Sequence, residues 1–281
     1  MTTLRQLMDE ARGKLAPIYG DGETTWLLRT IMEHVKGWNQ VELLLRADKE
    51  VSDFTIGRVN EAVDKLLAGE PVQYIYGDTY WYGMTLKVSP DVLIPRPETE
   101  ELVDMIVKEN SGNDLRVLDV CTGSGCIAVA LAKSLNFPSV TGIDISDAAL
   151  AVARENASDQ KVKVDFRKAD ALNLTPADGQ YDIIVSNPPY VMESEKQEMD
   201  KNVLDHEPHI ALFVPDNDAL KFYKAIATYS REALSDNGTL YFELNPLTAD
   251  ELADWMRKEG WSDVQLLPDM HSKIRFMVAK K

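Results

Sequence analysis

The chain has 281 residues, of which 46 are acidic and 30 basic, for a formal net charge of −16. This length allows about two domains of roughly 150 residues each, and the negative charge disfavours binding to nucleic acid or to an anionic membrane. The two cysteines, Cys121 and Cys126, are too few for a disulfide framework or for a zinc site built from thiolates alone.

The first 72 residues predict a small helical bundle. Apolar residues recur at helical spacing in two stripes, over 4–15 and over 56–67, and either Ser52 or Asp53 is a candidate cap for the second. Breaks near 19–22 and 36–37 divide the region into four or five short helices. The N-terminus lacks a secretory signal pattern, and no apolar run approaches the roughly 20 residues that span a bilayer, so we expect a cytoplasmic protein.

A segment rich in aromatic residues and prolines follows, and we interpret 73–97 as a β-hairpin, near Tyr80–Val88, and a connector. A helix over 98–108 then leads into alternating helices and strands, which form the third predicted domain, 98–281. The predicted helices are Ile127–Leu135, Ala148–Ala157, Ala219–Leu234 and Ala249–Glu259. The predicted strands are Arg116–Val120, Val140–Asp144, Val162–Phe166, Tyr181–Ser186, Thr239–Glu243, Val264–Leu267 and Ile274–Val278.

This alternation predicts an α/β fold with a seven-stranded, mostly parallel, Rossmann-like sheet that is covered on both faces. Only Pro268–Lys273 separates the last two strands, which is too short for a crossover helix. These two strands should therefore be antiparallel, and the sheet should have six parallel strands and one antiparallel strand.

A glycine-rich turn follows the first strand of this sheet. Gly123 and Gly125 allow the backbone to approach a ligand closely, and Asp144 ends the next strand, where a carboxylate can bind both ribose hydroxyls. Gly123-x-Gly125-x-x-Ala128 also satisfies the dinucleotide fingerprint. These residues alone therefore leave both a nicotinamide and S-adenosylmethionine open as the cofactor.

The sequence Asn187-Pro188-Pro189-Tyr190 follows a buried strand, so it should face the same crevice as the glycine turn. The prolines stiffen the backbone around Asn187. If the Asn187 side-chain oxygen and the Pro188 carbonyl accept hydrogen bonds from a planar NH2 group, those bonds strengthen as positive charge develops on that nitrogen during methyl transfer. Tyr190 could lie flat against the target group. The motif thus indicates methyl transfer to a conjugated nitrogen.

Three segments, Pro71–Gly77, Val92–Glu100 and Asn187–Val191, resemble the peptide chain release factor N5-glutamine methyltransferases, a branch of the class I S-adenosylmethionine-dependent methyltransferases. The resemblance covers nearly the whole chain. It implies S-adenosylmethionine as the cofactor and, as the substrate, the glutamine in the Gly-Gly-Gln motif of class-1 release factors. It also implies that the N-terminal bundle docks this protein substrate. We expect a monomer without direct nucleic-acid or membrane contact.

The resemblance also implies site residues. Arg96, Glu98 and Thr99 would shape the floor of the site. The catalytic residues would be Asn187, Pro188, Pro189 and Tyr190. The cofactor would be held by Asp119, Cys121, Thr122, Gly123, Ser124, Gly125, Asp144, Asp170, Ala171 and Asn187.

Two positions depart from the family pattern. Cys121 and Asn245 stand where the family usually has glycine. A small residue such as Cys121 costs little there if its φ is negative, and Asn245 is among the residues that tolerate a left-handed turn.

Other functions remain as alternatives. A ribosomal protein glutamine methyltransferase would use the same chemistry. A DNA adenine-N6 methyltransferase would as well, but the net charge of −16 disfavours DNA binding. His206-Glu207-Pro208-His209 offers no third metal ligand, so we predict no metal. We interpret Arg275 as a partner of Asp269 in a structural ion pair.

Overall fold

The computed structural model describes residues 2–175 and 181–281. In chain order, the helices of the described residues are α1 (Leu4–Lys36), α2 (Gln40–Leu45), α3 (Asp53–Leu67), α4 (Val72–Tyr76), α5 (Pro97–Glu109), α6 (Cys126–Ser134), α7 (Asp147–Asp159), α8 (Lys201–His206), α9 (Lys221–Ala233) and α10 (Ala249–Lys258). The strands are β1 (Asp78–Trp81), β2 (Met84–Lys87), β3 (Arg116–Val120), β4 (Ser139–Asp144), β5 (Val164–Lys168), β6 (Tyr181–Ser186), β7 (Val191–Met192), β8 (Phe213–Val214), β9 (Leu234–Glu243), β10 (Ser262–Pro268) and β11 (Ile274–Lys280).

Two compact units are present. One contains the residues up to Gly77 together with Asp200–His206, and the other contains the described residues of Asp78–Met199 and Glu207–Lys281. The three domains expected from the sequence, 1–72, 73–97 and 98–281, stay a prediction.

The first unit is helical, as its apolar spacing predicts. Thr3 begins α1 with a capping box, in which its hydroxyl accepts from the Gln6 amide and the Gln6 side chain accepts from the Thr3 amide. Gly20, with φ 72°, interrupts α1, and Gly37, with φ 67°, ends it, which confirms both predicted breaks. Of the two candidate caps, Ser52 caps α3, and Asp53 is the first residue of the helix. The core of this unit includes Leu4, Leu7, Leu15, Ile31 and Val63, all buried.

The second unit begins with the predicted hairpin, which lies slightly earlier in the chain than expected. Strands β1 and β2 pair antiparallel, and Tyr82 and Gly83 both have positive φ, as a two-residue hairpin turn requires. Trp81 is buried, and its indole nitrogen donates to the main-chain oxygen of Arg96 at 2.8 Å. The hairpin therefore anchors the connector that precedes α5.

The seven-stranded sheet has the order β10-β11-β9-β6-β3-β4-β5. Strand β11 is antiparallel to both of its neighbours, and the other six strands share one direction. This arrangement confirms the predicted fold class. The bounds of β3 and β6 match the prediction, whereas the two-stranded parallel ladder of β7 and β8 was not predicted.

Strand β5 starts at Val164, two residues later than predicted. After α7, Lys161 takes a positive φ of 57°, and the Val162 amide donates to the Ala157 carbonyl. Such a left-handed residue followed by an apolar one is typical of a helix C-terminus. Val162 therefore closes the helix and does not enter the sheet.

The central strand β3 places the predicted loops together. Val120, its last residue, pairs with Ile143 of β4 and with Ser186 of β6. The carboxyl ends of these three parallel strands therefore lie side by side. The residues that follow them, 121–125, 145–146 and 187–190, begin at one edge of the sheet, where open α/β sheets bind their ligands.

Candidate active site

A cavity of about 300 Å³ lies at this edge of the sheet. Several predicted site residues line it: Cys121, Thr122, Gly123, Ser124, Asp144, Asp170, Ala171, Asn187 and Pro189. Arg96 and Thr99 line it too. The other predicted residues, Glu98, Asp119, Gly125, Pro188 and Tyr190, are not among the lining residues.

Asp119 supports the glycine turn from below. It has no exposed surface, and its Oδ2 accepts hydrogen bonds from the Thr122 hydroxyl at 2.5 Å and from the Ala128 amide at 3.2 Å. Its other oxygen, Oδ1, is buried and has no hydrogen-bond partner among the described residues. Burial raises the pKa of Asp119 to about 7.

The turn needs glycine at Gly125 for two reasons. Its φ is 77°, and a Cβ there would lie 2.9 Å from the Cβ of Ala153 on α7. Gly123 also has a positive φ, 54°, but a Cβ there would meet no atom within 4 Å. The turn and α7 thus pack too closely for any side chain at the second glycine.

The condition under which Cys121 would cost little, a negative φ, is not met. Its φ is 63°, in the left-handed region, so the residue adopts the conformation that favours glycine. The strain of a non-glycine residue there is on the order of 1–2 kcal/mol. Burial raises the pKa of the Cys121 thiol far above its usual range, so the thiol stays protonated.

Asp144 is fixed at the end of β4. Its Oδ2 accepts from the Gly123 amide and its Oδ1 from the Ser146 amide, both at 2.9 Å. Each carboxylate oxygen can accept a further hydrogen bond. The side chain is therefore held in place with acceptor capacity to spare at the cavity wall.

The loop after β5 contributes the next part of the wall. Asp170 accepts from the Leu172 amide at 2.9 Å and from the Asn173 side chain at 2.6 Å, and Ala171 is buried beside it. Sequence reasoning missed the apolar lining: Ile145, Leu172 and Ile210 line the cavity although 40–63% of each is exposed. The signal available in the sequence was that an apolar residue directly follows each of the predicted cofactor-binding residues Asp144 and Ala171.

Asn187 and Tyr190 face different surroundings. The Asn187 side-chain nitrogen donates to the Thr99 hydroxyl oxygen at 3.4 Å. The Tyr190 hydroxyl instead donates to Glu243 Oε1 at 3.1 Å, and its ring packs against the core. Burial raises the pKa of Tyr190, so this hydroxyl keeps its proton. Asn187 and Pro189 of the motif therefore line the cavity, whereas Tyr190 packs against the core.

Two buried carboxylates were missed as site residues. Glu243, the last residue of β9, accepts from the Thr99 hydroxyl at 2.6 Å and is 1% exposed. Glu207, also buried, accepts from the Ile94 amide at 3.1 Å and from the Arg96 guanidinium at 2.5 Å. A carboxylate that ends an apolar strand was a usable signal for Glu243. Glu207 entered the sequence analysis only as part of a metal site that was considered and rejected. Among the described residues, no group of three or more His, Cys, Asp and Glu side chains could hold a metal ion.

Arg275 and the buried Asp269 form the predicted ion pair, with a distance of 3.3 Å. Asn245 does not use the left-handed conformation that an asparagine tolerates. Its φ is −75° and its ψ 120°, and its side chain caps the following 3₁₀ turn at Leu247.

This geometry supplies a held carboxylate, a glycine turn with left-handed φ and a hydrogen-bond acceptor within one cavity. Asp144 can accept from hydroxyl groups at the cavity wall, and Asp119 has one buried oxygen without a partner among the described residues. The amide of Asn187, whose nitrogen is directed to Thr99, has its oxygen left to accept a hydrogen bond from a ligand. No helix in the described ranges, 2–175 and 181–281, has the length and apolarity needed to cross a bilayer.

Two family models match this chain. A family model described as methyltransferase domain matches residues 117–206, and one described as PrmC N-terminal domain matches residues 6–77. The release factor glutamine methyltransferase of Flavobacterium psychrophilum is 41% identical over 94% of this chain and 94% of its own length. That of Bacteroides thetaiotaomicron is 42% identical over 96% of this chain and 97% of its own length.

Solved structures show the same fold. A methyltransferase from Pyrococcus furiosus matches with a TM-score of 0.54 and 15% identity, over 79% of this chain and 97% of that one. The human methyltransferase 10 domain containing protein matches with a TM-score of 0.51 and 18% identity, over 71% and 90% of the two chains. At these identities the similarity shows the fold alone.

Proposed function

The chain belongs to the release factor glutamine methyltransferase family, and on this basis we propose that it methylates N5, the side-chain amide nitrogen, of the glutamine in the Gly-Gly-Gln motif of class-1 peptide chain release factors. We propose S-adenosylmethionine as the methyl donor. The observation that carries the proposal is that Asn187 and Asp144 line the same cavity. A planar amide bound by Asn187 and a ribose bound by Asp144 would then lie in one cavity.

The residues of the cavity fit S-adenosylmethionine. The unpartnered Oδ1 of Asp119 would be satisfied by a donor such as an ammonium group. Asp144, held by two backbone amides, has acceptor capacity for the ribose hydroxyls. Ile145 and Leu172 offer apolar surface to the adenine ring, with Asp170 beside them. When bound, this cofactor supplies an electrophilic methyl group on a sulfonium sulfur.

Asn187 and Pro188 would bind the target nitrogen. An amide nitrogen is a weak nucleophile because its lone pair is delocalised, so the site has to stabilise the positive charge that develops during attack. Asn187 Oδ1 and the Pro188 carbonyl would accept hydrogen bonds from the NH2 group, and these bonds strengthen in the transition state. The rigid Pro188-Pro189 backbone holds both acceptors in place before the reaction, and the nitrogen loses one proton once the methyl group has been transferred.

Tyr190 would take a role different from the stacking that the sequence suggested. Its hydroxyl is engaged with Glu243 and its ring contacts the core. We propose that it fixes the backbone of the motif. The helical unit, whose family model is the PrmC N-terminal domain, would dock the release factor.

Transfer of labelled methyl groups tests this proposal. The wild-type enzyme would be offered a release factor, the same factor with its Gly-Gly-Gln glutamine changed to alanine, a ribosomal protein and duplex DNA. We expect label on the wild-type release factor alone. Label only on the ribosomal protein or on DNA would keep the chemistry and overturn the substrate.

A further inference from the structure

A chain of buried polar contacts connects the end of β9 to Asn187. Glu243 Oε2 accepts from the Thr99 hydroxyl at 2.6 Å, and the Thr99 oxygen lies 3.4 Å from the Asn187 side-chain nitrogen. Glu243 and Thr99 are 1% and 2% exposed. Thr99 lines the cavity. The proposed reaction assigns no step to Glu243 or to Thr99.

The ionisation of Glu243 decides the direction of these hydrogen bonds. An ionised carboxylate can only accept, so both hydroxyls that contact it, those of Thr99 and Tyr190, have to donate. These two hydrogen bonds and nearby Arg275 favour the charged form, whereas burial, the largest effect, and Glu98 oppose it and raise the pKa of Glu243. Tyr190 keeps its proton and can serve only as a donor to this carboxylate.

Thr99 transmits this direction to Asn187. A threonine hydroxyl has a single proton, and here that proton is given to Glu243. The Thr99 oxygen can then act only as an acceptor toward Asn187. The NH2 end of the Asn187 amide has to face Thr99, since the flipped amide would bring two acceptor oxygens together.

We propose that Glu243, acting through Thr99, is a positioning residue that selects the amide orientation of Asn187 in which Oδ1 faces the substrate. This inference rests on the proposed function, because the substrate amide NH2 needs an acceptor at this point. With the amide flipped, an NH2 group would face the NH2 group of the substrate and the hydrogen bond would be lost. We call the hydrogen-bonded series Glu243–Thr99–Asn187 the relay. The relay thus determines whether Asn187 can stabilise the transition state.

Two substitutions at Thr99 separate the hydroxyl from the shape of the side chain. Thr99→Val keeps the branched shape and removes the relay, whereas Thr99→Ser restores the hydroxyl. We expect Thr99→Val to lower kcat at least about tenfold, with the affinity for S-adenosylmethionine within about twofold of wild type, because the lost interaction acts on the transition state. Thr99→Ser should recover most of that loss.

A matched control accounts for the loss of a buried hydroxyl in itself. Thr24 is fully buried in the helical unit, and its hydroxyl has no hydrogen-bond partner among the described residues. Thr24→Val should leave kcat close to the wild-type value. Unfolding midpoints of all variants would show whether a fall in kcat follows a loss of stability.

A second readout does not depend on turnover. In protein labelled with ¹⁵N only at asparagine side chains, the Asn187 resonance is assigned by its absence in Asn187→Asp. This resonance should move in Thr99→Val, which lacks the hydroxyl, and in Glu243→Leu, which has no oxygen to accept from Thr99, and it should stay near its wild-type position in Thr99→Ser. The resonance would be recorded in the wild type and each variant with and without S-adenosylmethionine.

The outcomes distinguish the relay from the proposed function. Equal kcat values and an unmoved Asn187 resonance in Thr99→Val would overturn the relay, even if the release factor is methylated. Equal losses of kcat in Thr99→Val and Thr99→Ser would also overturn it, since the hydroxyl would then be irrelevant. If the wild type leaves the release factor unlabelled, the proposed function fails, and the resonance comparison still decides whether Glu243 orients Asn187.

Discussion

The side-chain amide of Asn245 donates a hydrogen bond to the main-chain carbonyl of Tyr190 at 3.1 Å. The same nitrogen donates to Glu195 Oε2 at 2.7 Å, and the Asn245 side-chain oxygen accepts from the Leu247 amide at 2.9 Å. Asn245 is 2% exposed and its backbone is extended. Asparagine is therefore present here because its amide ties the loop after β9 to the end of the Asn187–Tyr190 motif, and no left-handed turn is involved.

Asn245→Ala removes all three of these hydrogen bonds. We expect the free energy of unfolding to fall by about 1–3 kcal/mol, because buried polar groups lose their partners. Urea unfolding measures this change. Asn136→Ala, at an exposed asparagine that follows α6, is the control and should leave the unfolding free energy within about 0.5 kcal/mol of wild type. Equal stability of the two variants would contradict the inference that Asn245 ties the loop after β9 to the motif.

Local sequence pattern was sufficient for much of the fold. Strands β3 and β6 are short apolar runs that end at a glycine turn and at a proline pair, so their bounds could be read without error. The orientation of the last two strands followed from the length of their connection. These features depend on neighbouring residues only.

The supports of the site depend on contacts between distant parts of the chain. Thr99 and Glu243 are 144 positions apart, and Ile94 and Glu207 are 113 positions apart. No periodicity relates such residues, because the order of strands in the sheet brings them together. The positive φ of Cys121 and the close packing of Gly125 against α7 were likewise not apparent from neighbouring residues.

The two glycines of the turn offer a matched pair of substitutions. Gly123→Ala adds a Cβ to a left-handed residue in open space, which should destabilise the fold by about 1 kcal/mol. Gly125→Ala adds the same strain and also places the Cβ 2.9 Å from Ala153, so a further loss of about 1–3 kcal/mol is expected. Chemical denaturation of both variants measures the difference. A Gly125→Ala protein as stable as Gly123→Ala would show that α7 moves away at little cost.

Asp144→Ala should weaken S-adenosylmethionine binding at least about tenfold, because charge-assisted hydrogen bonds to the ribose are lost. The Gly123 and Ser146 amides would also lose their acceptor. Calorimetric titration measures the affinity. Asp147→Ala removes an acidic side chain that is 74% exposed and serves as the control for charge. The ribose assignment is wrong if the two variants bind with equal affinity.

Asn187→Ala should show the opposite behaviour. The lost oxygen acts on the developing charge at the substrate nitrogen, so kcat should fall by about 10²–10³ while the affinity for S-adenosylmethionine stays within a few-fold of wild type. Single-turnover methylation of the release factor together with calorimetry separates the two effects. A severe loss of cofactor affinity with little change in kcat would assign Asn187 to the cofactor instead.

The last prediction concerns the dependence of stability on pH. Burial raises the pKa of Asp119 from 3.8 to about 7, so the folded protein binds this proton more tightly than the unfolded chain. The resulting stabilisation is fully present below pH 4 and is lost as the pH rises through 7. Asp119→Asn carries no titrating proton at this position and lacks this dependence.

The unfolding free energy of the wild type, relative to that of Asp119→Asn, should therefore fall by about 2–3 kcal/mol between pH 5 and pH 8 in protein without cofactor. Urea denaturation of both proteins at each pH gives this difference, and every other titrating group cancels because the two chains are otherwise identical. A difference that does not change with pH would mean that Asp119 titrates at its usual pKa and is stabilised as an anion inside the fold.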